Sequence, residues 1–474
     1  MVKTLKYIGL FAVVLAMGLA SCKKGFLELT PTTSLTPEQA LASEADLAVA
    51  LRGAYAGLRN VDMYGRTVPL IGDVMADNAY QHSINTNRYT LFNNYTFNAT
   101  DANALGLWSA AYTVILRTNN IINADVPSSA NVDQYKGEAY AIRALSYFTL
   151  IRYFARPYTD NPDALGVPIV LQYNADLKPP RNKVSEVYAL ILDDLNKAYT
   201  MMTKFVNSSQ FSKYAAKGLQ AKVYLTMGDK ANAKTAALDV INNSGWEPLT
   251  VADHDAYWAN GGLSIPTSTS RKLETLFEVS SDATANLAFD ALSYIYSQNG
   301  NYGDFVVADD LYASFTPGDV RLNLYPIVPR PKSPPGPAIA TVNKYPVING
   351  DVSDTKVLRL SEMYLIAAEA SLPGNEADAL MYVNFIRSRR GAPDITSTGA
   401  QLFEDIIEER RRELAFEGDR YMDLMRLKRD VTRSANYPSS ARTIPYSNFR
   451  RILPIPQSEL DANPAIRPQQ NTGY

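Results

Sequence analysis

The chain has 474 residues with 46 Lys and Arg against 48 Asp and Glu, a formal net charge of −2, and 30 Tyr, two His and one Cys. Near-neutral charge offers no basic face for nucleic acid, a single thiol cannot staple a core, and two histidines with one cysteine exclude a His/Cys zinc site. Length alone suggests about three domains, but an array of helical hairpins runs longer as one body.

The first segment carries Lys3 and Lys6, an apolar run from Tyr7 to Ala20, and then Leu19-Ala20-Ser21-Cys22. Basic residues, an apolar stretch and small residues at a cut are the layout of an export signal. At roughly 14 residues the apolar run falls short of the ~20 that a membrane-spanning helix needs. The four residues at the cut resemble a bacterial lipobox, so residues 1–21 are expected to be removed and Cys22 to be diacylated. An ordinary secretory cut near Ala20 is the alternative. No later stretch is long and apolar enough to span a bilayer, which predicts a globule held on a membrane through its lipid anchor.

Residues 63 to 103 mix Asn, Thr and Tyr, as in Asn85-Thr86-Asn87-Arg88-Tyr89 and Asn93-Asn94-Tyr95, and read as loop. Helical periodicity follows. Ala141, Ala144, Leu145, Phe148 and Ile151 recur at spacings of three and four, as do Val187, Leu190, Ile191 and Leu195, and then Ala216, Leu219, Val223 and Met227. Gly228-Asp229-Lys230-Ala231-Asn232-Ala233 is echoed by Gly374-Asn375-Glu376-Ala377-Asp378-Ala379, with Ala221 and Ala367 each seven residues before the glycine. Each copy reads as helix, glycine turn, Asp or Asn cap and second helix, the layout of a tetratricopeptide-like hairpin. Gly391-Ala392-Pro393 ends the second copy. Between the copies, residues 245–350 are rich in Ser, Thr, Asn, Gly and Pro, culminating in Pro326 to Pro337, and read as loop-rich. The predicted fold is therefore all-α (mainly helical), with tetratricopeptide-like hairpins forming a superhelical scaffold. Its parts are an N-terminal helical region, 22–244, and a C-terminal region, 245–474, carrying the insertion 245–350. Binding groups sit most often on loops held by such a scaffold, so the two loop regions are the candidate recognition surface.

The chain lacks a Gly-x-Ser-x-Gly elbow, a phosphate-binding Gly-x-x-x-x-Gly-Lys loop and a Gly-x-Gly-x-x-Gly fingerprint. A carboxylate pair for glycoside hydrolysis stays open, because separation is unreadable from sequence. The densest charge cluster runs from Glu408 through Glu413 to Glu417, Asp419, Arg420, Asp423 and Arg426. Helical spacing pairs Glu408 with Arg412 and Arg410 with Glu413. Arg410 shares the apolar face of Phe403, Ile406, Ile407 and Leu414, so it is expected to meet a carboxylate near the core. The cluster reads as a structural ion-pair network.

These residues also carry a family likeness. Glu409-Arg410-Arg411-Arg412-Glu413-Leu414-Ala415-Phe416-Glu417-Gly418, followed by Arg420 and Asp423-Leu424, resembles the signature of the SusD/RagB family of nutrient-binding outer-membrane lipoproteins. The resemblance extends to Leu358 through Ala370, to Val383-Asn384-Phe385-Ile386-Arg387, and to Leu453-Pro454-Ile455-Pro456 through Gly473-Tyr474. Upstream it takes in Trp108, Tyr112, Ile115, Asn119 and Ile122, then Glu138, Arg143-Ala144-Leu145 and Tyr147-Phe148, with Pro168 at the turn after them. It implies a non-enzymatic binder of oligosaccharide or peptide, without cofactor or metal, anchored by lipid in the outer membrane at the cell surface. It also implies a partner, a SusC-like TonB-dependent barrel over which the protein closes as a lid. The chain departs from the family where acidic residues usually follow the lipidated cysteine: here Lys23-Lys24-Gly25 comes first and Glu28 is the first acid.

Asp77, Asn78 and Tyr80 follow Gly72-Asp73-Val74-Met75-Ala76, which resembles the family's segment leading into the binding surface. With Arg88, Tyr89 and Tyr95 on the adjoining loop, and Tyr294, Tyr296 and Tyr302 in the later one, they form the expected ligand-binding set. Aromatic rings against sugar faces and short polar groups on hydroxyls are the chemistry such a site needs. Two other readings stand beside this one, a secreted carbohydrate-active enzyme and a protein-interaction scaffold without small ligand.

Overall fold

A computed structural model describes residues 40–259, 272–298, 302–330, 336–346 and 353–474. The expected signal segment, Cys22 and parts of the loop-rich insertion lie outside the described residues. Among those residues, no helix is long and apolar enough to cross a membrane.

The scaffold starts with α1 (Glu44–Leu58), capped by the Ser43 side chain, which accepts from the Asp46 amide. A short helix, α2 (Thr67–Val74), is buried along its whole length and leads into strand β1 (Ala79–Gln81). Its sequence lies within the stretch read above as loop. Eight residues form a helix there because every side chain finds a tertiary neighbour, which local pattern does not show. Next come α3 (Ala102–Asn123), α4 (Ala130–Phe154), α5 (Val184–Met201), α6 (Lys213–Met227) and α7 (Lys230–Asn243). Each of these packs against the next, and α1 packs on α3.

α4 is the central member. Its residues from Gly137 to Phe154 are buried on nearly every side, because α3 covers one flank and α5 the other. Polar groups on it are therefore satisfied internally. Ser146 and Thr149 return their hydroxyls to the carbonyls of Ile142 and Leu145, both at 2.8 Å. Arg143 donates to both oxygens of Asp194 on α5, at 2.8 and 2.7 Å, and to Asn119 on α3, tying three helices at one point.

The repeat read from the sequence is a pair of hairpins. Gly228 ends α6 at φ +79°, a left-handed conformation that costs glycine no Cβ clash. Asp229 then caps α7 by accepting from the Asn232 amide at 3.1 Å. In the second copy, α8 (Leu360–Ala370) passes through Gly374, also at positive φ, to α9 (Glu376–Ser388), whose cap Asn375 accepts from Asp378 at 3.0 Å. The two hairpins face each other: α7 packs directly on α8 although more than a hundred residues separate them. The stretch between holds strands β2 (Thr275–Val279) and β3 (Phe305–Val307) and leads into β4 (Thr355–Arg359). All described sheets are two-stranded: β1 pairs with β3, and β2 with β4.

α10 (Gly399–Glu413) and α11 (Arg420–Arg426) bring the charged signature into the interior. Glu413 receives Arg390 at 3.0 and 2.7 Å, Arg359 at 2.8 Å and Arg321 at 3.0 Å. Burial would raise its carboxyl, but the guanidiniums of Arg390 and Arg359 hold it well below the usual carboxylate range. Arg410 meets Asp423 at 3.2 Å, a carboxylate near the core as expected. The two local pairs expected on α10 are replaced by others. Arg412 takes Glu409 at 2.9 Å, and Glu413 is occupied by arginines from distant elements. Buried carboxylates are thus shared among several long-range cations rather than one helical neighbour. One continuous apolar cluster runs from Leu47 to Ile466, with a smaller one where α8, α9 and α10 meet.

Candidate functional site

The site is built on β1 and the loop that leaves it. Register places Ala79 opposite Val307, Tyr80 opposite Val306 and Gln81 opposite Phe305. The loop 82–89 then folds back on the residues ahead of β3. Buried Asp304 is its anchor. The carboxylate accepts from the Thr86 amide at 3.0 Å and the Thr86 hydroxyl at 2.6 Å, while its carbonyl accepts from His82 at 2.9 Å. Within the loop, Asn85 donates to the His82 carbonyl at 2.7 Å, and Gln81 donates to Asn85 at 3.1 Å and to the Arg88 carbonyl at 3.0 Å.

These bonds present Arg88 against Tyr302. The guanidinium carbon lies 3.7 Å from the ring centroid, and a guanidinium nitrogen donates to the Tyr302 hydroxyl at 2.9 Å. Tyr80 stands at the root of the same loop, its ring 6.1 Å from that of Tyr437. All three side chains are half-buried, with part of each surface open to solvent. Asn87, Tyr89 and Tyr95 adopt left-handed φ of 61°, 55° and 54°. Strain of this kind persists only where surroundings over-determine the backbone, and it gathers at ligand clamps and active sites.

The other six residues expected here lie inside. Asp77 accepts two bonds from Arg420, both 2.8 Å; burial would raise its carboxyl, but Arg411 and Arg420 hold it well below the usual range. Asn78 donates to Asp73 at 2.8 Å and accepts from Arg411 at 2.9 Å. Asp73 also accepts the Phe416 and Gly418 amides at 3.0 and 2.8 Å, which locks α2 to the turn after α10. That locking requires bare backbone, since a Cβ on Gly72 would stand 2.1 Å from the Gly418 carbonyl oxygen. Tyr89 bonds Arg66 and Thr67 at 2.9 and 2.7 Å, and Tyr95 donates to the Met75 carbonyl. Tyr294 is 7% exposed and meets exposed Phe289 edge-on at 5.2 Å. Tyr296 is fully buried between Tyr345 and Phe416. All six are buried, and all but Tyr294 are held by partners in the interior.

Asp304 and Thr86, which fix the loop, were not singled out from sequence. They are 218 residues apart, and nothing local in either marks the pairing. Among the described residues no cluster of His, Cys, Asp or Glu is placed to hold a metal ion. The arrangement offers a stacked guanidinium and phenol with hydroxyls and amides around them, a half-open set of hydrogen-bond donors and acceptors beside an aromatic face.

Two family models match the chain. One, described as the SusD family, covers residues 340–474, and one described as "Starch-binding associating with outer membrane" covers residues 25–225. A solved structure from Bacteroides vulgatus ATCC 8482, named as a candidate sugar binding protein, is 30% identical, covers 92% of this chain and 100% of its own, and superposes with a TM-score of 0.82. A SusD superfamily protein from Bacteroides thetaiotaomicron VPI-5482 is 28% identical over 91% of this chain and 100% of its own, with a TM-score of 0.81. SusD-like protein P2 of Formosa agariphila is 29% identical over 98% of both chains.

Proposed function

The chain belongs to the SusD family, and on that premise we propose that it is a non-enzymatic binder of oligosaccharide or a similar polymeric nutrient. In this reading it is held on the outer membrane by lipid on Cys22, which keeps it beside its partner. That partner is a SusC-like TonB-dependent barrel, to which it delivers the ligand. The starch-binding, outer-membrane character of the family matched by residues 25–225 supports carbohydrate binding at that membrane.

The observation that carries the binding step is the Arg88–Tyr302 pair on its anchored loop. A ring with a guanidinium laid on it offers a flat face to a sugar's C–H groups and donors at its edge to the hydroxyls. Tyr80, Arg88 and Tyr302 are proposed as contacts. Asp77, Asn78, Tyr89, Tyr95, Tyr294 and Tyr296 are proposed to act by holding the loop, since their own surfaces are covered.

Calorimetry and product analysis of the purified protein against a panel of glycans and peptides tests this. Heat without products is expected; products would establish an enzyme, and silence across the panel a scaffold. Tyr302→Ala and Arg88→Ala should each weaken binding by about 1.4 kcal/mol or more, tenfold in affinity. Unchanged affinity in both variants would move the site elsewhere.

A further inference from the structure

A second cleft, of about 350 Å³, opens at the C-terminal end of α3, and it shares no residue with the site on β1 and β3. Its volume lies within the range of small-ligand sites, roughly 300–1,000 Å³. Asn120, Asn123 and Asp125 line it from the helix end, Gln172 and Tyr173 from the facing loop, and Leu41 from the start of the described chain. Lys and Arg are absent from the lining.

Three features point to a ligand. Tyr173 is 62% exposed, more than any other large apolar or aromatic side chain among the described residues. The loop that carries it is nonetheless fixed. Tyr112 donates to the Pro168 carbonyl, Asn119 to that of Val170 and Asn123 to that of Leu171, all at 2.8 Å, and the Val170 amide donates to the Tyr147 hydroxyl at 2.8 Å. The backbone is therefore anchored up to Leu171, two residues before the ring, which limits the loop ordering that stacking on Tyr173 would cost. Around it, the side chains of Asn120, Asp125 and Gln172 have no hydrogen-bond partner among the described residues. Amides and one carboxylate, with no cation, suit neutral hydroxyl groups; an anionic ligand would meet Asp125 uncompensated.

We infer that this cleft is an ancillary saccharide subsite, in which Tyr173 stacks on a sugar face and Asn120, Asp125 and Gln172 bond its hydroxyls. It takes a neutral oligosaccharide, one or two units at a time. The inference rests on the reading of the chain as a glycan binder and adds a second point of attachment to it. Two sites on one rigid body raise the apparent affinity for a long chain able to reach both, beyond that for a short one.

The test is calorimetry of the full chain in detergent against short and long members of the malto- and laminari-oligosaccharide series. Parent protein is compared with Tyr173→Ala/Asn120→Ala and with Tyr173→Trp, which keeps an aromatic face. Both positions are at the surface, and thermal melting checks that the variants fold. The expected result is about a tenfold loss of long-chain affinity in the double variant, with affinity kept in Tyr173→Trp. Combining the double variant with Tyr302→Ala should remove binding that Tyr302→Ala alone leaves. If the parent binds and the double variant binds equally well at both lengths, the subsite is refuted while the glycan-binding reading stands. Silence of the parent toward every member overturns that reading and this inference with it.

Discussion

Glu138 is 2% exposed inside α4, accepting from the Tyr55 hydroxyl at 2.6 Å and from Gln134 at 2.9 Å. Both donors are neutral, so burial dominates and pushes its carboxyl up to about 7. In the unfolded chain the same group ionises at an ordinary carboxylate pKa. Between about 4.5 and 7 the folded state therefore holds a proton that the unfolded state has released, and stability falls as pH rises through that window. Glu138→Gln keeps a side chain of the same shape and cannot ionise. Its stability relative to the parent should rise by up to about 3 kcal/mol from pH 4.5 to pH 7.5. Urea unfolding at the two pH values measures this, and an equal difference at both would show that the proton is not held. The proposed contacts show the limit of reading at this scale. Composition and resemblance mark Tyr80, Arg88 and Tyr302 no differently from Tyr89, Tyr95 and Tyr296. Only the fold separates half-open rings from covered ones, because tyrosine suits a wet groove and a packed core equally.

At the level of elements, hairpins were legible and long-range charge pairing was not. The glycine turns at Gly228 and Gly374, the caps that follow them and the periodicity of α4, α5 and α6 are local properties, so a linear reading finds them. α2 was missed because its helix depends on burial supplied by the rest of the chain. The choice of partners on α10 depends likewise on Arg321, Arg359 and Arg390, which arrive from three other segments. Glu413 pairs with all three. Glu413→Ala would leave buried guanidiniums short of a counter-charge, and a loss of about 3–5 kcal/mol is expected. Thermal or denaturant unfolding measures it; a change under about 1 kcal/mol would mean that Glu274, Glu409 and Glu417 suffice. Because the Glu413 carboxyl is depressed in the folded state, its contribution is present above the ordinary carboxylate pKa and is lost as pH falls.

Across the whole molecule, an apolar core continuous from Leu47 to Ile466 makes the two sequence regions one body. On the proposed reading the described body would move as a unit on a tether joined at Cys22. Mass spectrometry of the protein extracted from membranes should find Cys22 as the first residue, carrying acyl chains. An unmodified chain beginning near Ser21 would instead mean free secretion. The packing of α7 on α8 has a further consequence. The segment joining them is closed on itself by β2, in its first third, pairing with β4 at its end, where α8 begins. Lengthening a loop whose ends are already held together costs little, about 0.6 kcal/mol for each doubling. Stretches of this segment that bury nothing can therefore change length at little cost, whereas those carrying Arg321, Arg359 and the buried aromatic residues are held by the core they complete.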